Sequence, residues 1–327
     1  MSQSYCALYV DAGYLLAAAA TRVTGTSLRA GIEVAHAELI DGLVRQVCED
    51  SGMPLLRTQW YDAARPHSTS PEHNGIGSLP WVKLRLGRMA NDGTQKGVDL
   101  RLGLDIVNHA RHGRIDRLYL VSGDDDLTEA VDEAQNLGAQ VIVLAVPNNE
   151  GKPHGVSNHL RQTADDVLLI DEIGLDAVIR RRERKAAPAP AAPAPTHQPT
   201  DPASSPAAVA ARVAAASTPD LSKPYQAPVY TTATGQPASA AVRLHDVPSP
   251  EAIAEGIDIV CRKVIESWRR TASPDDRARL HGAKPSVPSE LDRALLLDLS
   301  ARLDNFYLDD TTRYKLRTRF WEILDEA

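Results

Sequence analysis

The chain is poor in the residues from which sulfur-based staples are built. Its three cysteines, Cys6, Cys48 and Cys261, are widely scattered and form no CxxC pair. That excludes a disulfide framework and gives no support to zinc binding or thiol redox chemistry. No run approaches the roughly 18–20 consecutive apolar residues of a membrane-spanning helix, and no basic segment with an apolar stretch and cleavage site opens the chain. The expectation is a soluble, cytoplasmic protein with no membrane partner. An excess of positive charge is also missing. Lys and Arg number 36 against 43 Asp and Glu, a net charge of −7, which argues against an indiscriminate polyanion binder and confines any nucleic-acid surface to a local patch. What remains is 43% hydrophobic over 327 residues, enough for one sizeable core and a smaller second one, so a fibrous or wholly disordered protein is excluded.

Aromatic residues make up only 5% of the chain, and most of its 22 prolines fall after residue 185. Residues 186–250, rich in Pro and Ala with interspersed Ser and Thr, have no side chains that would repay the entropy of ordering, and read as a disordered linker. The expected organisation is therefore a domain over 1–185, the linker over 186–250, and a second domain over 251–327. In the first, apolar runs at Tyr5–Val10, Leu55–Tyr61, Arg117–Val121 and Val141–Val146 read as strands. Helical periodicity appears over 33–50, Val98–Ala110 and Leu127–Leu137. Strands alternating with helices imply an α/β fold with a parallel sheet. In the last segment Ile253, Ile257, Val260, Val264 and Trp268, and later Leu316, Phe320 and Ile323, recur at helical spacing, with a middle helix beginning near Ser289. These predict a small all-α domain for interaction or self-association, with Trp268, Phe320 and Trp321 as core or interface residues.

Reactive groups of open parallel sheets gather at the carboxyl ends of strands. There the sequence places Asp11 in YVDAGYL and the triplet Asp124, Asp125, Asp126 in YLVSGDDDL, while Asp99 in KGVDLRL falls in the first turn of a predicted helix. Each has an alternative as a turn or helix cap. Taken jointly they point elsewhere. Clustered carboxylates repel by several kcal/mol unless some protonate or a cation sits among them. Oxygen donors without a His or Cys companion select Mg²⁺ or Mn²⁺. Such an ion activates water and neutralises charge on a phosphodiester. From Trp81 to Arg117 the sequence has a local basic surplus that includes Lys83, Arg85, Arg88 and Lys96, suited to a polynucleotide backbone with Trp81 as a stacking face, or simply to a solvated surface.

The motifs VDAGYL, KGVD and SGDDDL, in that order, resemble the NYN domain of the PIN-like nuclease superfamily over residues 4–173, and GVSNHLRQTADDVLLID is similar to its closing segment. The resemblance implies a PIN-like three-layer sandwich around a central parallel sheet and a metal-dependent ribonuclease or an RNA-binding relative. It assigns Asp11, Asp99, Asp124 and Asp126 to the metal-binding, catalytic carboxylates, leaves Asp125 in a variable place, and matches Asp165 to an acidic position that serves equally as a cap. Asp105, roughly 240° around the helix from Asp99, falls outside the set. Where the family commonly has Asn, this chain has Tyr14, whose phenol lacks an amide's paired donor and acceptor. Tyr14, Lys96, Ser122, Arg85 and Arg88 are the candidate substrate contacts. The leading expectation is a Mg²⁺- or Mn²⁺-dependent endoribonuclease acting on single-stranded RNA. The alternatives are an inactive RNA-binding or regulatory module and, more remotely, a Toprim-like DNA-acting enzyme, which would also require a catalytic Glu where Asp11 stands.

Overall fold

The computed structural model describes residues 4–64, 69–89, 95–182, 249–303 and 308–326. The linker expected over 186–250 lies outside the described residues, except for Ser249 and Pro250, which open a helix.

Seven strands form one sheet. In chain order they are β1 (Cys6–Asp11), β3 (Leu55–Ala64), β4 (Val82–Met89), β5 (Gln95–Lys96), β6 (Arg117–Val121), β7 (Gln140–Ala145) and β8 (Asp166–Leu169), and across the sheet they run β5-β4-β3-β1-β6-β7-β8. All pair in parallel except β5, which lies antiparallel at the edge of β4. The short strands β2 (Ile32–Val34) and β9 (Ile179–Arg181) form a separate antiparallel pair.

Every residue of β1 is buried, as expected of a parallel strand covered on both faces. Cys6, Leu8 and Val10 enter one hydrophobic cluster and Ala7 and Tyr9 the other, the period of two that a pleated strand imposes. The first cluster is closed by α1 (Ala12–Thr24), α2 (His36–Ser51) and α7 (Glu172–Val178). The second is closed by α4 (Val98–Arg111), α5 (Thr128–Asn136) and α6 (Asn158–Thr163). The result is the expected three-layer α/β sandwich. A further short helix, α3 (Pro71–Gly77), connects β3 to β4.

Among the elements that the sequence reading did not contain are helix α1 and strand β4. Helix α1 is rich in alanine and buries Ala17, Ala18, Ala19 and Ala20, so it shows little contrast between an apolar and a polar face. Strand β4 alternates Val82, Leu84 and Leu86 with Lys83 and Arg85, a period of two that the basic surplus of the same stretch obscured.

The C-terminal helices are α8 (Pro250–Thr271), α9 (Pro274–Ala283), α10 (Ser289–Leu303) and α11 (Asp310–Glu326). Ser249 caps α8 through the amide of Ala252, and Ser273 closes a capping box with Asp276 at the start of α9. Their core holds Val260, Val264, Leu295, Leu299, Leu316, Phe320 and Trp321, with Trp268 packed against it. It also takes in Leu28 from the segment that follows α1, where the exposure of Leu28 falls to 1%. Ser27 donates its amide to Asp298 Oδ1 at 2.9 Å and its hydroxyl to the Ala294 carbonyl at 3.4 Å. The described residues up to Arg182 and from Ser249 onward accordingly form one compact unit.

Burial pushes the Asp298 carboxyl up to about 6, against partial relief from its Ser27 bonds and the charge of Lys263. A carboxyl with a folded pKa above its unfolded one binds its proton more tightly when folded. Its contribution is fully present below the unfolded value of 3.8 and is lost as pH rises through about 6. At pH 7.5 the carboxylate therefore costs roughly 1–3 kcal/mol. Asp298→Asn, which keeps an acceptor for the Ser27 amide, is expected to melt higher than wild type at pH 7.5, with the gap closing as pH falls towards 5. Melting curves of the two proteins at a series of pH values check this, and a gap independent of pH would refute it.

Candidate active site

The carboxyl end of β1 lies between those of β3 and β6, and Asp11 is the last residue of the strand. Its Oδ1 accepts from the Tyr14 amide at 3.2 Å, which caps α1. Its Oδ2 accepts from the Ser122 hydroxyl at 3.2 Å. Ser122, just past β6, is fully buried, and its oxygen also accepts from the Asp124 amide at 3.3 Å. One hydroxyl thus couples the Asp11 carboxylate to the acidic triplet. Asp124 then caps the turn Asp125–Leu127, accepting from the Asp126 amide at 3.2 Å. Opposite, Gly97 takes φ +75° immediately before α4, a conformation that glycine adopts without the penalty of a side chain. Asp99 follows in the exposed first turn of that helix.

These carboxylates bear on one another electrostatically. Burial, and then the charge of Asp99, pushes Asp11 up to about 6, against hydrogen bonds from Tyr14 and Ser122 and the charge of Arg293. Asp124 is also raised, by burial and by the charges of Asp99, Asp126 and Asp125, against the bond from the Asp126 amide. Among the described residues, no three His, Cys, Asp or Glu side chains stand together as a ready-made metal cage. The donor chemistry nevertheless fits a hard divalent cation. Mg²⁺ dehydrates reluctantly, keeps several waters, and binds through one or two carboxylates together with substrate phosphates.

The other expected contacts are distributed differently. Tyr14 donates its hydroxyl to the His154 carbonyl at 2.7 Å and accepts from the Val146 amide at 3.2 Å. The phenol therefore ties α1 to the segment after β7, and its polar atom is engaged by backbone. Arg85 pairs with Asp105 at 3.1 Å, and Tyr61 donates to the same carboxylate at 2.9 Å. This places Asp105 in a bridge between α4 and the sheet. Arg88 is exposed near the end of β4, opposite Lys96 in register. The side chain of Lys96 lies outside the described residues. Trp81 stands at the amino end of β4, 69% exposed and with φ +63°, at the opposite end of the strands from Asp11. It is not placed to stack on a base held there. Asp165 accepts from the Val141 amide at 2.7 Å and from Gln135 at 3.0 Å, the role of a structural turn.

Sequence reasoning missed two groups. At the carboxyl end of β3, the buried Asp62 accepts from Arg29 and from His73, each at 3.2 Å. Burial would raise this carboxyl, but the His73 bond and the Arg29 charge hold it at about 2. Arg293, on α10, is exposed and acts on Asp11 through its charge. No local motif marks either group, because both depend on segments distant in the chain.

The model of the NYN domain family matches residues 7–171. Among curated proteins, the chain is similar to the uncharacterized protein y4oD of Sinorhizobium fredii, 34% identical over 113 residues, covering 35% of this chain and 51% of that protein. The chain thus spans about half the length of that relative. Among solved structures, a protein of unknown function from Vibrio parahaemolyticus aligns with a TM-score of 0.38 and 21% identity, over 52% of this chain and 94% of the other.

Proposed function

The chain belongs to the NYN domain family, and from that premise we propose that it is a Mg²⁺- or Mn²⁺-dependent endoribonuclease that hydrolyses phosphodiester bonds of single-stranded RNA. The observation that carries the reading is the acidic centre where β1, β6 and α4 converge. Buried Asp11 is raised to about 6 chiefly by burial and next by the charge of Asp99. Asp11, Asp99, Asp124 and Asp126 are the residues that would hold the cation. When bound, such an ion lowers the pKa of water and neutralises charge developing on a phosphodiester.

The chain's own residues contribute orientation. Ser122 fixes Asp11 and the Asp124 backbone with one buried hydroxyl. Gly97 allows the turn that presents Asp99 from α4. Tyr14 anchors the segment after β7 at the back of the site. Exposed Arg88 is a candidate for the substrate's phosphates, whereas Arg85, already neutralised by Asp105, supports the sheet.

A second reading is an RNA-binding module that does not cut. It is favoured by the absence of a preassembled three-ligand cage among the described residues. The two are separated by incubating end-labelled single-stranded RNA with the protein in Mn²⁺, Mg²⁺ or EDTA. The nuclease reading expects fragments with either metal and none in EDTA. Retention of intact RNA under all three conditions selects the binding module. Absence of both cutting and binding removes RNA as the substrate.

A further inference from the structure

The C-terminal helices do more than pack against one another. Their core takes in Leu28, and Ser27 bonds to both Asp298 and the Ala294 carbonyl on α10. On α8, Ser267 Oγ comes within 3.3 Å of the position a β-carbon would occupy at Gly31. The segment they grip also carries Arg29, which pairs with Asp62. Asp62 directly follows Tyr61, the residue in register with Asp11 on the neighbouring strand. The seat of the bundle is therefore at the carboxyl ends of the central strands, beside the acidic centre.

On α10, Ala294 and Asp298 are one helical turn apart and turn the same face to this seat. Arg293 lies next to that face. It is exposed and has no ion pair or hydrogen bond among the described residues. On the neighbouring α11, by contrast, Arg317 is taken up by Asp292 and Arg319 by Asp258.

We propose that Arg293 is a substrate-contacting residue of the acidic centre, a cation supplied by the C-terminal helices to hold a phosphate of the RNA strand. The proposal rests on the ribonucleic acid reading above but not on hydrolysis. A polyanion approaching Asp11, Asp99 and Asp124 meets repulsion, and a guanidinium at the rim of the site offsets it. Arginine suits the task because its planar fork matches phosphate oxygens and its charge does not titrate. The position of Arg293 follows from its neighbours: Ala294 and Asp298 bond Ser27, two residues before the Arg29 that pairs with Asp62.

The test measures binding of a labelled single-stranded oligouridylate to the full chain in EDTA, over a series of salt concentrations. Arg293→Ala is compared with wild type and with Arg313→Ala, which removes an exposed cation from α11. Arg293→Ala is expected to weaken binding roughly tenfold and to flatten the salt dependence by about 0.7, the slope of one phosphate contact on a single strand. Arg293→Lys should keep most of the salt slope and part of the affinity, and Arg313→Ala should bind as wild type. The proposal is overturned if Arg293→Ala binds with unchanged affinity and slope, or if Arg313→Ala loses as much. If wild type binds oligonucleotide in EDTA but cuts nothing with metal, the nuclease reading fails and this one stands. If wild type does not bind in EDTA, this proposal fails, and the nuclease reading is decided separately by cutting in Mg²⁺ or Mn²⁺.

Discussion

Asp99→Asn is expected to abolish metal-dependent cutting while leaving the protein folded. Asp99 is exposed in the first turn of α4, so the amide disturbs no packing and breaks no capping bond. What it removes is charge. A cation-binding carboxylate is worth several kcal/mol of transition-state stabilisation, and at about 1.36 kcal/mol per tenfold this is a loss of at least roughly a hundredfold in rate. Stability should hold or rise, because the charge of Asp99 bears on both Asp11 and Asp124. Asp126→Asn should behave similarly, since Asp126 is exposed and only its backbone amide is used to cap the turn. Cleavage rates and melting temperatures of the two variants settle the matter. A folded Asp99→Asn protein that cuts at the wild-type rate would sink the assignment.

Gly123→Ala is expected to cost more stability than any substitution of the acidic residues. A β-carbon at Gly123 would lie 1.9 Å from the Gly155 carbonyl oxygen, 2.8 Å from its carbon and 2.8 Å from Tyr14 Cε2. Two of these atoms are backbone, in a segment already held by the bond from the Ser157 amide to the Gly123 carbonyl at 3.0 Å. The strand end and the segment after β7 must separate. Overpacking of this kind costs about 1–3 kcal/mol and at times more. For a unit of this size that is a fall of roughly 2–12 °C in melting temperature. Ser122 and Asp124 flank the displaced residue, so activity should fall further than the fraction unfolded explains. Melting and cleavage of the purified variant check both halves, and a wild-type melting temperature would show that the close approach does not exist.

Much of the sheet was legible because parallel strands are written as apolar runs. The spans 117–121 and 55–61 carry the fold whatever else surrounds them. The acidic positions were legible too, since Asp11 and Asp124 sit where strands end, and strand ends can be read from a sequence. Helix α1 was not, because alanine packs closely while contributing little contrast between faces. Strand β4 was masked by arginines whose partners, such as Asp105 for Arg85, lie elsewhere in the chain. The engagement of Tyr14 with the His154 carbonyl and the Val146 amide belongs to the same class. No pattern in VDAGYL says that its phenol meets a segment some 140 residues later. Asp62 and Arg293 were likewise invisible, since their significance comes from loops and helices that only the fold brings near.

The burial of Leu28 among the C-terminal helices has a consequence for how this chain tolerates division and change. A core that borrows a side chain from the other end of the sequence makes its lenders interdependent. Residues 1–185 alone would present to water the apolar seat from which Leu28 projects, and the helices alone would have a gap at its place. Damage to the last quarter of the chain is thereby felt at the first loop, and through Arg29 at the edge of the acidic centre. The helices are in this sense not an appendage to the α/β layers but share with them the segment that ends at the Arg29–Asp62 pair.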